Sequence, residues 1–257
     1  MNKTIRRTFK RFVNTFGFDI SASKTEVQTL PDIYSNKDFI NIMNECKEFT
    51  MTSTERMYGL FSAIQYIVKN NIPGDIVECG VWRGGSSMII AKTLKLLNDT
   101  SREIFMYDTY EGMSEPTELD VDFSGQVAEN KFNKIIDEKG KPVWCYADLF
   151  DVSNNMKTTG YPFNKIHLIK GKVEESIPST IPERIALLRL DTDWYESTYH
   201  EFMHLYPILV NKGVLIIDDY GHWQGARQAT DKYFSENNIN MLLSRIDYTA
   251  RMGIKTI

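Results

Sequence analysis

The chain has 257 residues, 30 Lys and Arg against 34 Asp and Glu, and a formal net charge of −4. That length suits one domain of roughly 200–250 residues or two small ones. With 42% hydrophobic and 12% aromatic residues it can bury a sizeable core, which excludes global disorder. Mild acidity argues against a dedicated nucleic-acid binder, which carries a basic excess or stripe. Three scattered cysteines, Cys46, Cys79 and Cys145, give neither a disulfide framework nor a CxxC metal site, and read as reduced thiols in the cytoplasm.

The charge is unevenly spread. Residues 1–20 carry five basic side chains and one acid, so residues 21–257 total −8. Ile5, Phe9, Phe12, Val13 and Phe16 recur on one face of a helix, with Lys3, Arg6, Arg7, Lys10 and Arg11 on the other. Such a basic amphipathic helix packs on its own domain or a second subunit, the favoured reading, or rests on an anionic membrane through residues 3–18. No run approaches ~18 apolar residues and no signal-peptide cleavage pattern follows the basic start. The expectation is a cytoplasmic homodimer with an option of membrane association. Residues 1–35 read as this helix and a linker, and 36–257 as the globular domain.

Residues 36–70 read as helical, with Ser53 as a cap, and Asn71–Asp75 as a turn. Strands then alternate with helices. Ile76–Glu78 precedes a helix near Ser87–Leu97, and Ile104–Tyr107 ends at Asp108. A polar, mobile stretch over 110–124 leads into a helix reaching about Lys139. Lys165–Ile169, Ile185–Leu190 and Gly213–Ile217 are further strands. Helices fall near Thr198–Leu209 and Gln224–Asn237, and the tail from Met241 supplies two short strands. This alternation predicts a doubly wound α/β sheet whose ligand sits at the carboxyl ends of the strands.

Glu78-Cys79-Gly80-Val81-Trp82-Arg83-Gly84-Gly85-Ser86 follows one strand and opens a helix. It lacks the GxGxxG spacing, and an acid before the first glycine suits a cationic ligand better than a pyrophosphate. S-adenosylmethionine (SAM), with its sulfonium and ammonium, matches; Asp108 is placed for the ribose diol. Asp191, Asp218 and Asp219 end two further strands. Three carboxylates together call for a cation or for protons, and oxygen ligands without Cys or His favour Mg²⁺, with Ca²⁺ or Mn²⁺ as alternatives. Asp193 reads as a helix cap, His167 as a core residue, and His200 and His204 as a solvated helix face. Tyr195 and Trp223 are candidate walls of an acceptor pocket, and Arg227 a partner of a nearby acid.

Three ordered motifs carry a resemblance. Ile72–Ser86 (IPGDIVECGVWRGGS), Asp191–Thr198 (DTDWYEST) and Asp218–Ala229 (DDYGHWQGARQA) resemble the macrocin O-methyltransferase family, over roughly residues 50–240. The resemblance implies a class I SAM-dependent methyltransferase (Rossmann-like) fold, a seven-stranded sheet with a helical N-terminal extension. It implies SAM contacts at Glu78, Gly80, Val81, Gly84, Ser86, Asp108, Gly171, Lys172, Val173 and Asp191. It also implies Mg²⁺ on Asp191, Asp218 and Asp219, and Asp191 as the base for an acceptor hydroxyl; His222, three residues after Asp219, is the second candidate base, since an imidazole titrates near neutral pH. The family's GWFxDTLP stretch reads here as Gly171–Pro178 (GKVEESIP), and residues 141–161 read as an insertion. The expected activity is O-methylation of a sugar hydroxyl on a natural product, a nucleotide-linked sugar or a surface polysaccharide; the basic helix favours the last or a lipid-linked glycan. A non-catalytic SAM or nucleotide binder and a metal-dependent hydrolase are the rival readings.

Overall fold

The computed structural model of the protein describes residues 31–138, 140 and 143–256. The basic helix expected over residues 3–18 lies outside them. The chain divides into two units after Ser35. In the first, α1 (Pro31–Ser35) is closed by the Ser35 hydroxyl donating to the Asp32 carbonyl at 2.8 Å.

The second unit begins with α2 (Lys37–Cys46) and α3 (Thr54–Lys69), each started by a polar cap. Asn36 Oδ1 accepts from Phe39 N–H and Ser53 Oγ from Arg56 N–H, both at 3.1 Å, satisfying first-turn donors that have no partner within the helix. Next come β1 (Asp75–Cys79), α4 (Gly85–Leu96), β2 (Ile104–Asp108) and α5 (Ala128–Phe132). They are followed by α6 (Leu149–Thr158), β3 (Ile166–Lys170), α7 (Val173–Ser176), β4 (Ile185–Leu190) and α8 (Tyr195–Leu205). The chain finishes with β5 (Leu209–Ile217), α9 (Gln224–Glu236), β6 (Ser244–Arg245) and β7 (Arg251–Ile254).

The seven strands form one sheet in the order β3-β2-β1-β4-β5-β7-β6. The first five are parallel; β7 runs antiparallel to β5, and β6 to β7. Because side chains alternate along a strand, the two faces separate by parity. Val77, Cys79, Leu188, Leu190, Leu215 and Ile217 join Phe202, Leu205 and Tyr233 in one core beneath α8 and α9. Ile76, Met106, Leu187, Val214 and Ile216 have the opposite parity. The connection reverses direction between β1 and β4, and a crevice opens there at the carboxyl edge.

Three expectations change. The helix reaching Lys139 is only α5: Ala128 and Phe132 are buried but Ile136 is 49% exposed, so a longer helix has no apolar stripe to bury. The chain instead doubles back, Val143 N–H donating to the Ile135 carbonyl at 2.9 Å. The stretch expected to be mobile over 110–124 is tied down by Asp120, which is fully buried. Asp120 accepts from Thr117 N–H and Oγ1 at 2.8 and 2.9 Å. The 141–161 insertion contains α6, capped by Asp148; its Val152 packs beside Gly84, and Asp151 takes both forks of Arg83 at 2.9 and 3.1 Å. Among the described residues no helix is long and apolar enough to cross a membrane.

Candidate active site

A cleft lies at the switch between β1 and β4. Gly80 and Asp108 from β1 and β2 line one side, Gly171–Glu174 another, and Asp191–Asp193 with Ser197 a third. Met113, Ser114 and Cys145 close it. Asp108 fixes the glycine loop: Oδ2 accepts from Val81 and Trp82 N–H at 2.8 and 3.1 Å, and Oδ1 from Tyr110 N–H at 2.8 Å. Each carboxylate oxygen accepts two hydrogen bonds, so Oδ2 is filled, while Oδ1 keeps one position because the Thr109 hydroxyl 3.3 Å away donates to the Gly112 carbonyl at 2.6 Å. Gly80 has φ +79°, and an added Cβ would strike the Asp191 carbonyl. Gly80→Ala is expected to destabilise by at least about 1–3 kcal/mol through strain and overpacking, measured as a lower urea midpoint, and to weaken SAM binding.

Behind the cleft sits one buried cation. β4 is apolar except for Arg189, whose register partner on β1 is Glu78. A charge in a central strand must be paired, and Arg189 is paired three times. It contacts Glu78 Oε1, Asp191 Oδ2 and Asp218 Oδ1, each at 2.7 Å. Parity explains the convergence: Glu78, Arg189, Asp191 and Asp218 all project to the face opposite the α8/α9 core. Glu78 also accepts from Ser87 of α4, and Asp218 from Arg56 of α3. Arg56 is held in turn by Asp247 at 3.0 Å.

The carboxylates outnumber the cations. Asp191, Asp218 and Asp219 bring one oxygen each to within 4.8 Å of the others. Asp193, at φ +66°, turns its side chain inward, shares a hydrogen bond with Asp219 and accepts one from Trp223. Burial, then repulsion from Asp218, Asp219 and Glu78 against the pull of Arg189, raises the Asp191 pKa well above the carboxylate range. Asp219 is raised by burial and by Asp193 and Asp218. Asp193 is pushed up to about 7, by burial first and Asp191 second. Five acids against two guanidiniums leave negative charge uncompensated at all-oxygen donors, and the set fits a hard divalent cation.

The family profile for macrocin-O-methyltransferase (TylF) matches residues 44–252. The chain belongs to the macrocin-O-methyltransferase family. It is 30% identical over 200 residues (78% of this chain, 73% of the relative) to the Streptomyces olivaceus 8-demethyl-8-(2,3-dimethoxy-alpha-L-rhamnosyl)-tetracenomycin-C 4'-O-methyltransferase. It is 25% identical over 251 residues (97% and 92%) to the mycinamicin III 3''-O-methyltransferase of Micromonospora griseorubida. Among solved structures it resembles the O-methyltransferase NovP, with a TM-score of 0.71, 24% identity and coverage of 81% and 83%. The chain is an O-methyltransferase with a class I SAM-dependent methyltransferase fold.

Within this family member, the residues expected around SAM divide in two. Gly80, Asp108, Gly171, Lys172, Val173 and Asp191 line the cleft. Glu78, Val81, Gly84 and Ser86 do not. Glu78, expected to meet the ammonium of SAM, is committed to Arg189 and Ser87. Ser86 faces a small recess with Arg56, Arg189 and Asp218, while Val81 and Gly84 shape the loop. Of the two candidate bases, only Asp191 reaches the cleft. His222 lies in a neighbouring recess, 3.3 Å from the Tyr248 hydroxyl, and burial lowers its pKa.

Other expectations are corrected by geometry. Asp193 does not cap α8: the Tyr195 N–H is taken by Asp120 Oδ1 at 2.9 Å. Tyr195 stacks on Tyr199 with ring centroids 6.1 Å apart, away from the cleft, whereas Trp223 packs with Trp194 and Trp144 at 5.0 and 6.1 Å. His167 is half-exposed rather than core, bonded to Glu103 at 2.5 Å and stacked on Phe105. His200 bonds the Ile177 carbonyl at 2.9 Å, and Arg227 meets Asp231 at 3.6 Å. Arg189, Arg56, Ser87, Asp120 and Trp144 were not singled out by sequence. An arginine inside IALLRL and a glutamate inside DIVEC were the available signals, since each buried charge demands a partner.

Proposed function

We propose that the enzyme transfers the SAM methyl group to a sugar hydroxyl, with Mg²⁺ on Asp191, Asp218 and Asp219 and with Asp191 taking the hydroxyl proton. The observation that carries this reading is Asp191 itself. It belongs to the acid cluster, lines the cleft, and leaves 27% of its side chain open. The two curated relatives are named for O-methylation at numbered sugar positions, which supports a glycoside acceptor.

When bound, SAM supplies an electrophilic methyl on a sulfonium, and Mg²⁺ acidifies and orients acceptor oxygens. The chain does the rest by positioning and proton transfer. Gly80 allows the loop after β1 to approach the ligand, while Asp108 fixes that loop and keeps one acceptor position, on Oδ1, for a ribose hydroxyl. Gly171, Lys172 and Val173 form the adenine side. Arg189 holds Asp191 by Oδ2 at 2.7 Å, which orients the carboxylate that would take the hydroxyl proton. Trp144, Trp194 and Trp223, joined by Ala128 and Ala226, form an apolar wall that excludes water from the acid end.

Methyl-¹³C SAM incubated with Mg²⁺ and a panel of hexosides tests the reading. An O-methyl hexoside in the product NMR spectrum is expected. Label found only on amines, carbons or phenols of added controls contradicts it.

A further inference from the structure

One fully buried acid stands apart from the Arg189 cluster. Glu201, on α8, interrupts a stripe that Phe202 and Leu205 continue into the core. Its Oε2 accepts the Thr192 hydroxyl at 3.3 Å. Among the described residues its Oε1 has no hydrogen-bond partner. Burial first, with Glu174 and Asp191, raises its pKa well above the carboxylate range against the Thr192 hydrogen bond. A leucine at this place would fill the stripe without leaving a polar atom unsatisfied. A buried group kept short of partners calls for a reason other than stability.

Its place in the fold supplies one. The ends of β1 and β4 meet where the Asp191 N–H donates to the Cys79 carbonyl at 2.9 Å. Glu201 reaches both ends from below. Thr192 follows β4, and Cys79 ends β1, where burial and then Glu201 push the thiol pKa up. Three residues that line the cleft are therefore one step away: Thr192 itself, Gly80 after Cys79, and Ser197 one turn earlier on α8. In the proposed reading of the cleft, Gly171, Lys172 and Val173 take the adenine and Asp108 the ribose. The third side, Asp191, Thr192, Asp193 and Ser197, is left for the amino-acid end of SAM. An ammonium only donates, so it needs acceptors there, whereas a hydroxyl has one proton and two lone pairs. With its proton committed to Glu201, Thr192 has only an acceptor to offer the cleft.

We propose that Glu201 is a positioning residue for the cofactor: by accepting the hydrogen bond of the Thr192 hydroxyl, it presents the Thr192 oxygen to the ammonium of SAM. The proposal rests on the SAM reading of the cleft and adds a residue that acts through Thr192 rather than by contact. The unsatisfied acid is then retained for cofactor affinity, at the expense of some stability.

Calorimetric titration of the full-length enzyme with two ligands separates this role from a structural one. S-adenosylhomocysteine carries the amino-acid end, and methylthioadenosine has the same adenosine thioether without it. Glu201→Leu is expected to weaken S-adenosylhomocysteine on the order of tenfold, the scale of one hydrogen bond, and to leave methylthioadenosine unchanged. Its urea midpoint is expected to hold or rise, because an unsatisfied acid gives way to an apolar side chain. Glu201→Gln keeps an acceptor for Thr192 and is expected to retain most of the affinity. Thr192→Val is expected to show the same split between the ligands as Glu201→Leu. The double variant is expected to lose no more than either, since both remove one interaction. Equal weakening of both ligands overturns the proposal, as do unchanged S-adenosylhomocysteine affinity and losses that add in the double variant. Failure of the wild type to bind S-adenosylhomocysteine overturns the SAM reading as well.

Discussion

Asp191→Asn is expected to cut methyl transfer by on the order of 10²–10⁴-fold, the usual contribution of a general base, while SAM affinity stays within a few-fold. Asparagine keeps the shape and an oxygen for Arg189, but cannot take a proton. Asparagine gives up the ion pair with Arg189 at 2.7 Å, but Arg189 keeps Glu78 and Asp218, so the fold is expected to stand. The loss is therefore chemical rather than structural. Calorimetric titration of SAM beside single-turnover kinetics separates the two. Near wild-type turnover would show that the proton leaves by another route, and a parallel collapse of SAM binding would show that Asp191 serves the cofactor alone.

Arg189→Met has the largest expected effect on stability. The guanidinium is 3% exposed and touches three carboxylates at 2.7 Å. Methionine fills much of the volume but leaves Glu78, Asp191 and Asp218 facing one another with Arg56 as the remaining contact cation. Removing one member of a buried ion pair costs about 3–5 kcal/mol because the partner charge stays buried, and here three partners remain. Urea denaturation at neutral pH is expected to show a loss of about that size. A change below about 1 kcal/mol, the scale of exposed pairs, would mean that Arg189 does not hold the cluster together.

Much of the site was legible because local sequence encodes it. Gly80 after a strand, Asp108 at the end of the next, and Asp191, Asp218 and Asp219 at two others follow from strand parity and a parallel sheet. What was not legible depends on register between distant strands. Glu78 and Arg189 are paired only because β1 lies beside β4, and nothing within either strand states which two will be neighbours. That pairing joins Glu78 to the acid cluster through Arg189. Asp193 misled for a related reason. An acid before a helix is the ordinary signature of a cap, but Asp120, 75 positions away, takes the α8 N–H and leaves Asp193 to face Asp219. His222 is three residues from Asp219, yet the turn closed by its own N–H carries the ring into the neighbouring recess. The α6 insertion was invisible as a helix because its buried face is small, Val152, Asn155 and Met156. Its packing on the glycine loop, rather than its apolar pattern, accounts for it.

Asp191, Asp218 and Asp219 are proposed to hold a divalent cation required for methyl transfer to a hydroxyl. Initial rates with methyl-labelled SAM and a methylatable hexoside, measured after chelator treatment and again during Mg²⁺ titration, test this. Activity is expected to be lost with chelator and restored saturably by Mg²⁺ in the wild type, with Asp219→Asn needing more Mg²⁺ for half-maximal rate. Full activity in excess chelator would contradict it.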